Sequence, residues 1–440
     1  MKTITLSVNI YQIRYMKRFL FLLIIICLQP WKSAAQTAKE EIFADISKSA
    51  SNFYAYPEPS GVQTPPPAGY KPFYISHYAR HGSRFLVDSL EYLAPLRTLE
   101  EAAHYDVLTE LGKEVLVKLD SMASMARGRY GELTSLGARQ HRGIAERMYN
   151  NFPEIFRGKG KINARSSIIV RCILSMTAEC LQLQSLNPSL FFRNDASAHD
   201  MYFLSNGDED FRELRNIKAI NESLNDFRMR HLHSARLMQA LFKNADYVKW
   251  KVDADKLMFQ LFRVACNMQS HDFDLDLFPV FTKEECYDLW QIENYEWYLK
   301  YGPSPVNKGK VPYVAADLLE DIIEMADSCI NNRDGDVATL RFGHEVCVMP
   351  LACLMDLGNC SQKVDDGDSL ADVWTNYRIF PMASNIQLVF YRNNKKNDVL
   401  VKVLLNEREM SLPLSSNIAP YYLWKDVRDY YKEKIDKDGK

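Results

Sequence analysis

One stretch limits this chain more than any other: a hydrophobic strand that runs directly into a charged turn containing glycine. In "YISHYARHGSRF" (Tyr74–Phe85), Tyr74, Ile75, Tyr78 and Ala79 give the strand its apolar character. Arg80, His81, Gly82, Ser83 and Arg84 follow with no spacer. A buried strand tolerates two arginines at its end only if they meet an anion or an acid, because an unpaired buried charge is costly. Guanidinium groups present forks of donors that match phosphate oxygens. Gly82 allows a close backbone approach, and a helix starting near Ser83 would add its N-terminal N–H groups. The segment predicts an anion cradle with a titratable nitrogen, His81, inside it.

The rest of the chain supplies a core large enough to carry such a strand. Of 440 residues, 47% are hydrophobic and 25% charged, a globular composition. The N-terminus has its own texture. Lys17 and Arg18 precede an apolar run from Phe19 to Leu28, and Ser33, Ala34 and Ala35 follow. That order predicts a secretory signal peptide over residues 1–35, and the run is too short to span a bilayer. The expected location is periplasmic or extracellular, with no stable membrane anchor after cleavage. Cleavage removes five basic residues and no acidic one, taking the formal net charge from −2 to −7. An acidic body argues against nucleic acid as a partner. An anionic ligand would need positive charge gathered locally in a cleft. Eight cysteines follow residue 35 without any C-x-x-C pair, so no zinc ribbon is expected, although some could pair in an oxidising compartment.

Two later segments repeat the strand-to-helix plan. "KINARSSIIVRCILSMTAECLQLQ" reads as a short strand, a polar turn and a helix, with Arg171 near the junction. "VATLRFGHEVCVMPLACLMDLG" is strand-like over 337–342, breaks at Gly343, and continues as a helix from about Glu345. "IQLVFYR" and "VLVKVLL" flank a polar turn and predict a hairpin. Between residues 185 and 312 the pattern is mainly helical, as in Leu257, Leu261 and Val264. The expected architecture is an α/β layered sandwich formed by 36–184 and 313–440, with a mainly helical insertion over 185–312. Ligand sites in such sheets lie at the carboxyl ends of strands. Arg80–Arg84, Arg171 and His344–Glu345 can therefore converge there.

His344–Glu345 lacks the second histidine of a zinc-protease motif, since position 348 is valine. An acid beside a histidine instead suits a proton donor next to a bound anion. Taken together, Arg80-His81-Gly82-Ser83-Arg84 and His344-Glu345 resemble the two signature motifs of the histidine acid phosphatase family. Gly131–Tyr149, the Arg171 segment and "IFPMASNIQLVFYR" resemble further passages of that family. Leu289–Pro305 points to its multiple inositol polyphosphate phosphatase branch. The chain departs from the family at Leu86, where many members have proline, and at Glu345, which directly follows the histidine with Val346 behind it.

The resemblance implies a phosphoglycerate-mutase-like α/β core and a phosphomonoesterase acting through a phosphohistidine on His81. Arg80, Arg84, Arg171 and His344 would hold the phosphoryl oxygens, Glu345 would protonate the leaving group, and no metal or other cofactor would be needed. His81 should be neutral and Glu345 protonated in mild acid. The implied partner is a small phosphorylated molecule, phytate and its lower phosphates first. A narrower sugar phosphatase, a mutase-like phosphotransferase and a non-catalytic phospho-ligand binder are the alternatives. Arg228–Arg236, Arg139, His141 and Arg142 are candidates for the cleft wall, whereas His77 belongs in or under the opening strand.

Overall fold

A computed structural model describes residues 37–59, 61–205, 209–332 and 334–438. The segment read as a signal peptide, with Cys27, lies outside these residues. Eight strands form one mixed sheet: β1 Tyr70–Arg80, β2 Gly160–Ser166, β3 Leu190–Ala196, β4 Ala338–Gly343, β5 Asn385–Asn393, β6 Val399–Leu405, β7 Arg408–Met410 and β8 Tyr422–Leu423. The order is β3-β2-β4-β1-β5-β6-β7, with β8 also on β6. Strands β3, β2, β4 and β1 are parallel to one another, and β5, β6 and β7 continue the sheet antiparallel. The β5–β6 pair is the hairpin expected from the sequence.

Strand β1 lies at the junction of the two halves, buried on both faces from Tyr74 to Arg80. Its tyrosines Tyr74 and Tyr78 enter one core, and Ile75 and Ala79 enter the other, as a period of two requires. Pro72, which has no N–H, precedes the point at Ile75 where β4 joins, and the register with β5 slips beside it.

The principal helices are α1 Ser89–His104, α2 Glu110–Ala126, α3 Ser135–Asn151, α4 Val170–Leu186, α5 Lys218–His231, α6 Ala254–Met268, α7 Lys283–Tyr301, α8 Ala316–Asn331, α9 Glu345–Leu354 and α10 Trp424–Asp438. Helices α3 and α4 cover one face of the sheet, and α8, α9 and α10 cover the other. The result is the expected layered α/β fold. Start signals are explicit in the sequence: Asp88 with Glu91 and Thr282 with Glu285 form capping boxes, and Thr134 accepts from the Gly137 N–H.

Three local expectations change. Strand β3 falls inside the range read as a helical insertion and pairs along its length with β2. Its "LFFRNDA" lacks clean alternation, so its partner rather than its own pattern makes it a strand. Helices α1 and α2, read as part of the α/β domain, share a core with α6 and the start of α7. The described residues from Ala38 onward pack as one unit. Finally, no helix starts at Ser83. Phe85 N–H bonds to Glu132 O, Gly131 N–H to Leu86 O, and Arg84 bridges Leu133, which keeps the segment extended until Asp88 caps α1. All eight cysteines after residue 35 are buried free thiols, and no helix among the described residues is long and apolar enough to cross a membrane.

Gly343 closes β4 against a fixed partner. A Cβ there would lie 2.1 Å from Tyr78 Oη and 2.4 Å from Leu204 O. That hydroxyl cannot retreat, because it accepts from His344 N–H at 3.1 Å and donates to Leu204 O at 3.2 Å. Gly343→Ala should therefore lower stability by about 1–3 kcal/mol, the usual range for overpacking. Urea denaturation reads this directly, and an unchanged midpoint would contradict the contact.

Candidate active site

The site is made where parallel strands end side by side. In the β1–β4 register Arg80 faces Gly343, so the next residues, His81 and His344, emerge as neighbours. Their rings are 5.6 Å apart. Strand β2 ends one step away, with Ser166 facing Phe342, and its turn carries the chain into α4 and Arg171. His344 is the residue before the first turn of α9, and Glu345 opens that helix, where the dipole favours an acid.

His81 is fully buried, and its backbone is held on both sides: its N–H donates to Gly343 O and its C=O accepts from Ala383 N–H, each at 3.0 Å. Its ring Nδ1 lies 2.9 Å from Gly82 O. A carbonyl can only accept, so Nδ1 carries the proton and the lone pair is on Nε2. Nε2 points into the site, 3.6 Å from Glu345 Oε2. Glu345 Oε2 is also 3.1 Å from Arg80 Nε. Arg80 Nη1 is anchored to Asn52 O at 2.7 Å and Phe380 O at 2.9 Å. Arg84 Nη1 donates to Phe85 O at 2.9 Å, and its guanidinium lies over the Phe53 ring. Arg171 Nη1 reaches Gly131 O at 3.5 Å.

Each of these anchored arginines keeps a donor in reserve. Arg80 Nη2, Arg84 Nε and Arg171 Nε are buried without a hydrogen-bond partner among the described residues. Orphaned buried donors are rare and costly in a folded protein. Three in one pocket mark the place of an anion with several acceptor oxygens.

The charges agree with that assignment. Burial, aided by Arg171 and Arg80, holds the His81 imidazole well below its ordinary pKa despite Glu345. Burial and the same arginines, with Arg84, bring His344 down to about 4 against the pull of Glu345. His344 is therefore neutral near pH 6, and His81 is shifted in the same direction. Burial pushes the Glu345 carboxyl up, but the Arg80 and Arg84 guanidinium groups outweigh it and hold it well below the usual range. The ligand atoms of His81, His344 and Glu345 lie within 4.8 Å of one another, a spacing open to a cation. Three guanidinium groups against one carboxylate, however, make the pocket attractive to anions.

The pocket wall contains residues that the sequence did not single out. Ser175 Oγ, one turn along α4 from Arg171, accepts from Gly82 N–H at 3.1 Å. Gln140 Oε1 accepts from Ser83 N–H at 2.9 Å. Ser167 Oγ and Cys172 Sγ lie 3.4 and 3.6 Å from His344 Nε2. Ser175 follows Arg171 at the helical spacing of four, which the sequence could have offered, whereas Gln140, Ser167 and Cys172 are revealed only by the fold. Gly82 admits helix α3 rather than a ligand, since a Cβ at Gly82 would lie 2.4 Å from Gly137 O.

All six sequence-predicted residues (Arg80, His81, Arg84, Arg171, His344 and Glu345) converge. The further candidates do not. Arg139 pairs with Asp272 on the surface, and Arg142 is exposed. Arg228 pairs with Glu296, Arg230 and His231 with Asp368, and Arg236 with Glu285. His141 is buried beneath β1, and His77 is buried on that strand itself.

The family model described as histidine phosphatase superfamily (branch 2) matches residues 78–406, most of the chain and every residue of this pocket except those on the Asn52–Phe53 segment. This chain belongs to the histidine phosphatase superfamily, branch 2. It is a phosphoric monoester hydrolase by that membership. Multiple inositol polyphosphate phosphatase 1 of Gallus gallus is 21% identical over 319 residues, 68% of this chain and 69% of that protein. The fold also matches the Bifidobacterium longum multiple inositol polyphosphate phosphatase crystallised with inositol hexasulfate. That match has a TM-score of 0.72 and 20% identity, over 87% of this chain and 97% of that one. The phytase of D. castellii matches with a TM-score of 0.67 and 13% identity, over 93% and 90%.

One expectation about this phosphatase changes. Glu345 is held ionised by Arg80, its ion-pair partner, against the upward push of burial. A bound dianion would take over the arginines, raise the Glu345 pKa and let it gain a proton. Sulfate tests this without titrating itself. At pH 5–6 its binding to the wild type should be accompanied by proton uptake and should strengthen as pH falls, measured by calorimetry in buffers of different ionisation enthalpy. In Glu345→Gln the uptake should disappear. Equal uptake in both proteins would place the proton elsewhere.

Proposed function

We propose that this phosphatase is exported and hydrolyses inositol polyphosphates, phytate among them, through a phosphohistidine on His81. The observation that carries the mechanism is the buried, neutral His81. Its protonated Nδ1 is tied to Gly82 O, and its free Nε2 faces a pocket with three unpartnered arginine donors. Neutral imidazole is the nucleophilic form, and burial, aided by Arg171 and Arg80, favours it.

A phosphoryl group entering between His81 Nε2 and Glu345 would place its oxygens against Arg80, Arg84, Arg171 and His344. Nε2 forms the N–P bond as the P–O bond to the inositol breaks. Glu345, protonated once the phosphate has taken its arginine partner, transfers its proton to the departing alkoxide oxygen. Water, deprotonated by the same carboxylate, then attacks phosphorus, releases phosphate and returns His81 to its neutral form. Positioning and charge are most of what phosphoryl transfer asks of a protein.

The inositol polyphosphate reading is supported by the two relatives named for that activity and by the cations around the pocket. Arg215 lies over Tyr301, whose hydroxyl pKa is raised by burial and by the Glu345 charge. Export is supported by the N-terminal segment order alone.

Phosphate release from phytate across pH, with the inositol products resolved and glucose 1-phosphate assayed in parallel, tests the proposal. Activity should peak on the acid side of neutrality and favour phytate. His81→Ala should abolish turnover. Glu345→Gln should slow it most for poor leaving groups, by about 100-fold or more, within the usual range for losing a general acid. A rate that keeps rising above pH 8, or an active His81→Ala, would overturn the mechanism. Preference for the sugar phosphate would overturn the substrate.

A further inference from the structure

Beneath the pocket, on the α3–α4 side of the sheet, lie three fully buried titratable residues that the reaction does not use: His77, His141 and Glu179. They come from three elements. His77 is on β1, four residues before His81 and on the same strand face. His141 is on α3, and Glu179 is on α4. Along α4 one stripe runs at a spacing of four: Arg171 into the pocket, Ser175 to the Gly82 N–H, and Glu179 to the two histidines.

The contacts fix how many protons this cluster holds. His141 Nε2 is 3.1 Å from Arg80 O, and its Nδ1 is 3.0 Å from Glu179 Oε2. The carbonyl can only accept, so Nε2 carries a hydrogen. A bond between Nδ1 and the carboxyl then needs a second hydrogen, carried by Nδ1 or by Oε2. Either arrangement leaves the pair neutral overall and holding one proton more than a bare carboxylate and a neutral imidazole.

The surroundings require that neutrality. Phe342 lies against both histidine rings, and Met176, Cys180 and Leu183 pack nearby. Among the described residues no arginine or lysine reaches Glu179 within an ion-pair distance. His77 Nδ1 faces Glu179 Oε1 at 3.3 Å, and burial keeps its imidazole neutral. Arg341, the charge acting on His77 from β4, is already paired with Asp321 at 2.6 Å. A bare carboxylate here would be strongly unfavourable.

We propose that His141 and Glu179 share this retained proton as a positioning pair, holding the Arg80 carbonyl and thereby the attacking Nε2 of the next residue, His81. Arg80 O belongs to the peptide that links the two catalytic-motif residues, so any swing of that peptide moves both the guanidinium and the imidazole. The proposal rests on the reading of His81 as the attacking residue. His77 Nδ1 approaches the other oxygen of the same carboxyl at 3.3 Å without forming a hydrogen bond to it, so it is not part of the pair.

Paired substitutions in the full chain separate positioning from packing. Glu179→Gln retains an N–H able to donate to His141 Nδ1 and adds no charge, so kcat on phytate should stay within about threefold of wild type. Glu179→Leu fills the space without the hydrogen bond. It should lower kcat by about 100-fold while KM moves by no more than about twofold, the pattern of a misplaced reacting atom. His141→Gln, which can still donate to Arg80 O, should likewise outperform His141→Leu. Thermal melting establishes that each variant is folded at the assay temperature. Equal kcat for the glutamine and leucine variants, or losses confined to KM, would overturn the proposal. If both leucine variants fail to fold, a drop of more than about tenfold in Glu179→Gln does so instead. An active His81→Ala would remove the catalytic reading itself, whatever the Glu179 variants do.

Discussion

The parallel pairing of β1 with β4 is the constraint on which the rest depends. Because Arg80 and Gly343 share a rung, His81 and His344–Glu345, more than 260 positions apart in sequence, leave the sheet as neighbours. No flexible loop has to find the geometry. The position is fixed by ladder hydrogen bonds, by the His81 N–H to Gly343 O bond, and by Tyr78 Oη receiving the His344 N–H. Sites on rigid elements hold their groups within the tolerance that chemistry needs.

Around this pair the protein solves two electrostatic problems at different depths. In the pocket, three guanidinium groups crowd together with one carboxylate between two of their neighbours. Several of their N–H groups are left without partners, a state that an incoming phosphoryl group relieves. One layer below, at Glu179, the protein buries an acid that pairs with no arginine or lysine among the described residues and neutralises it with a shared proton. The upper layer is built to exchange partners with substrate. The lower layer exchanges nothing, which suits a mount.

The sequence carried the site further than it carried the fold. The residue types in Arg80–Arg84 and His344–Glu345 announce an anion and a proton donor wherever they are placed, because guanidinium, imidazole and carboxyl keep their chemistry in any fold. The strand-to-helix plan around Arg171 was legible from hydrophobic periodicity. Strand β3 was not, since Arg193, Asn194 and Asp195 sit together within it and its identity comes from pairing with β2. Likewise Ser83 was open to a helix start until the Glu132 and Leu133 backbone took its neighbours into an extended bridge. The basic run from Arg228 to Arg236 has the composition of a phosphate-binding wall, but acids from other elements reach it first.

What the sequence determined by itself is the chemical inventory: an anion cradle with a histidine inside it, an acid at a helix start, and strands with the periodicity of a layered α/β core. Those follow from side-chain chemistry and local repeat, which need no partner. The tertiary structure alone decided which nitrogen of His81 is free, that Glu345 begins ionised against Arg80, and that His141 serves beneath the strand rather than in the cleft. Each of these depends on a neighbour distant in sequence: the hydrogen bond, ion pair or burial that fixes a proton exists only once the strands and helices have met.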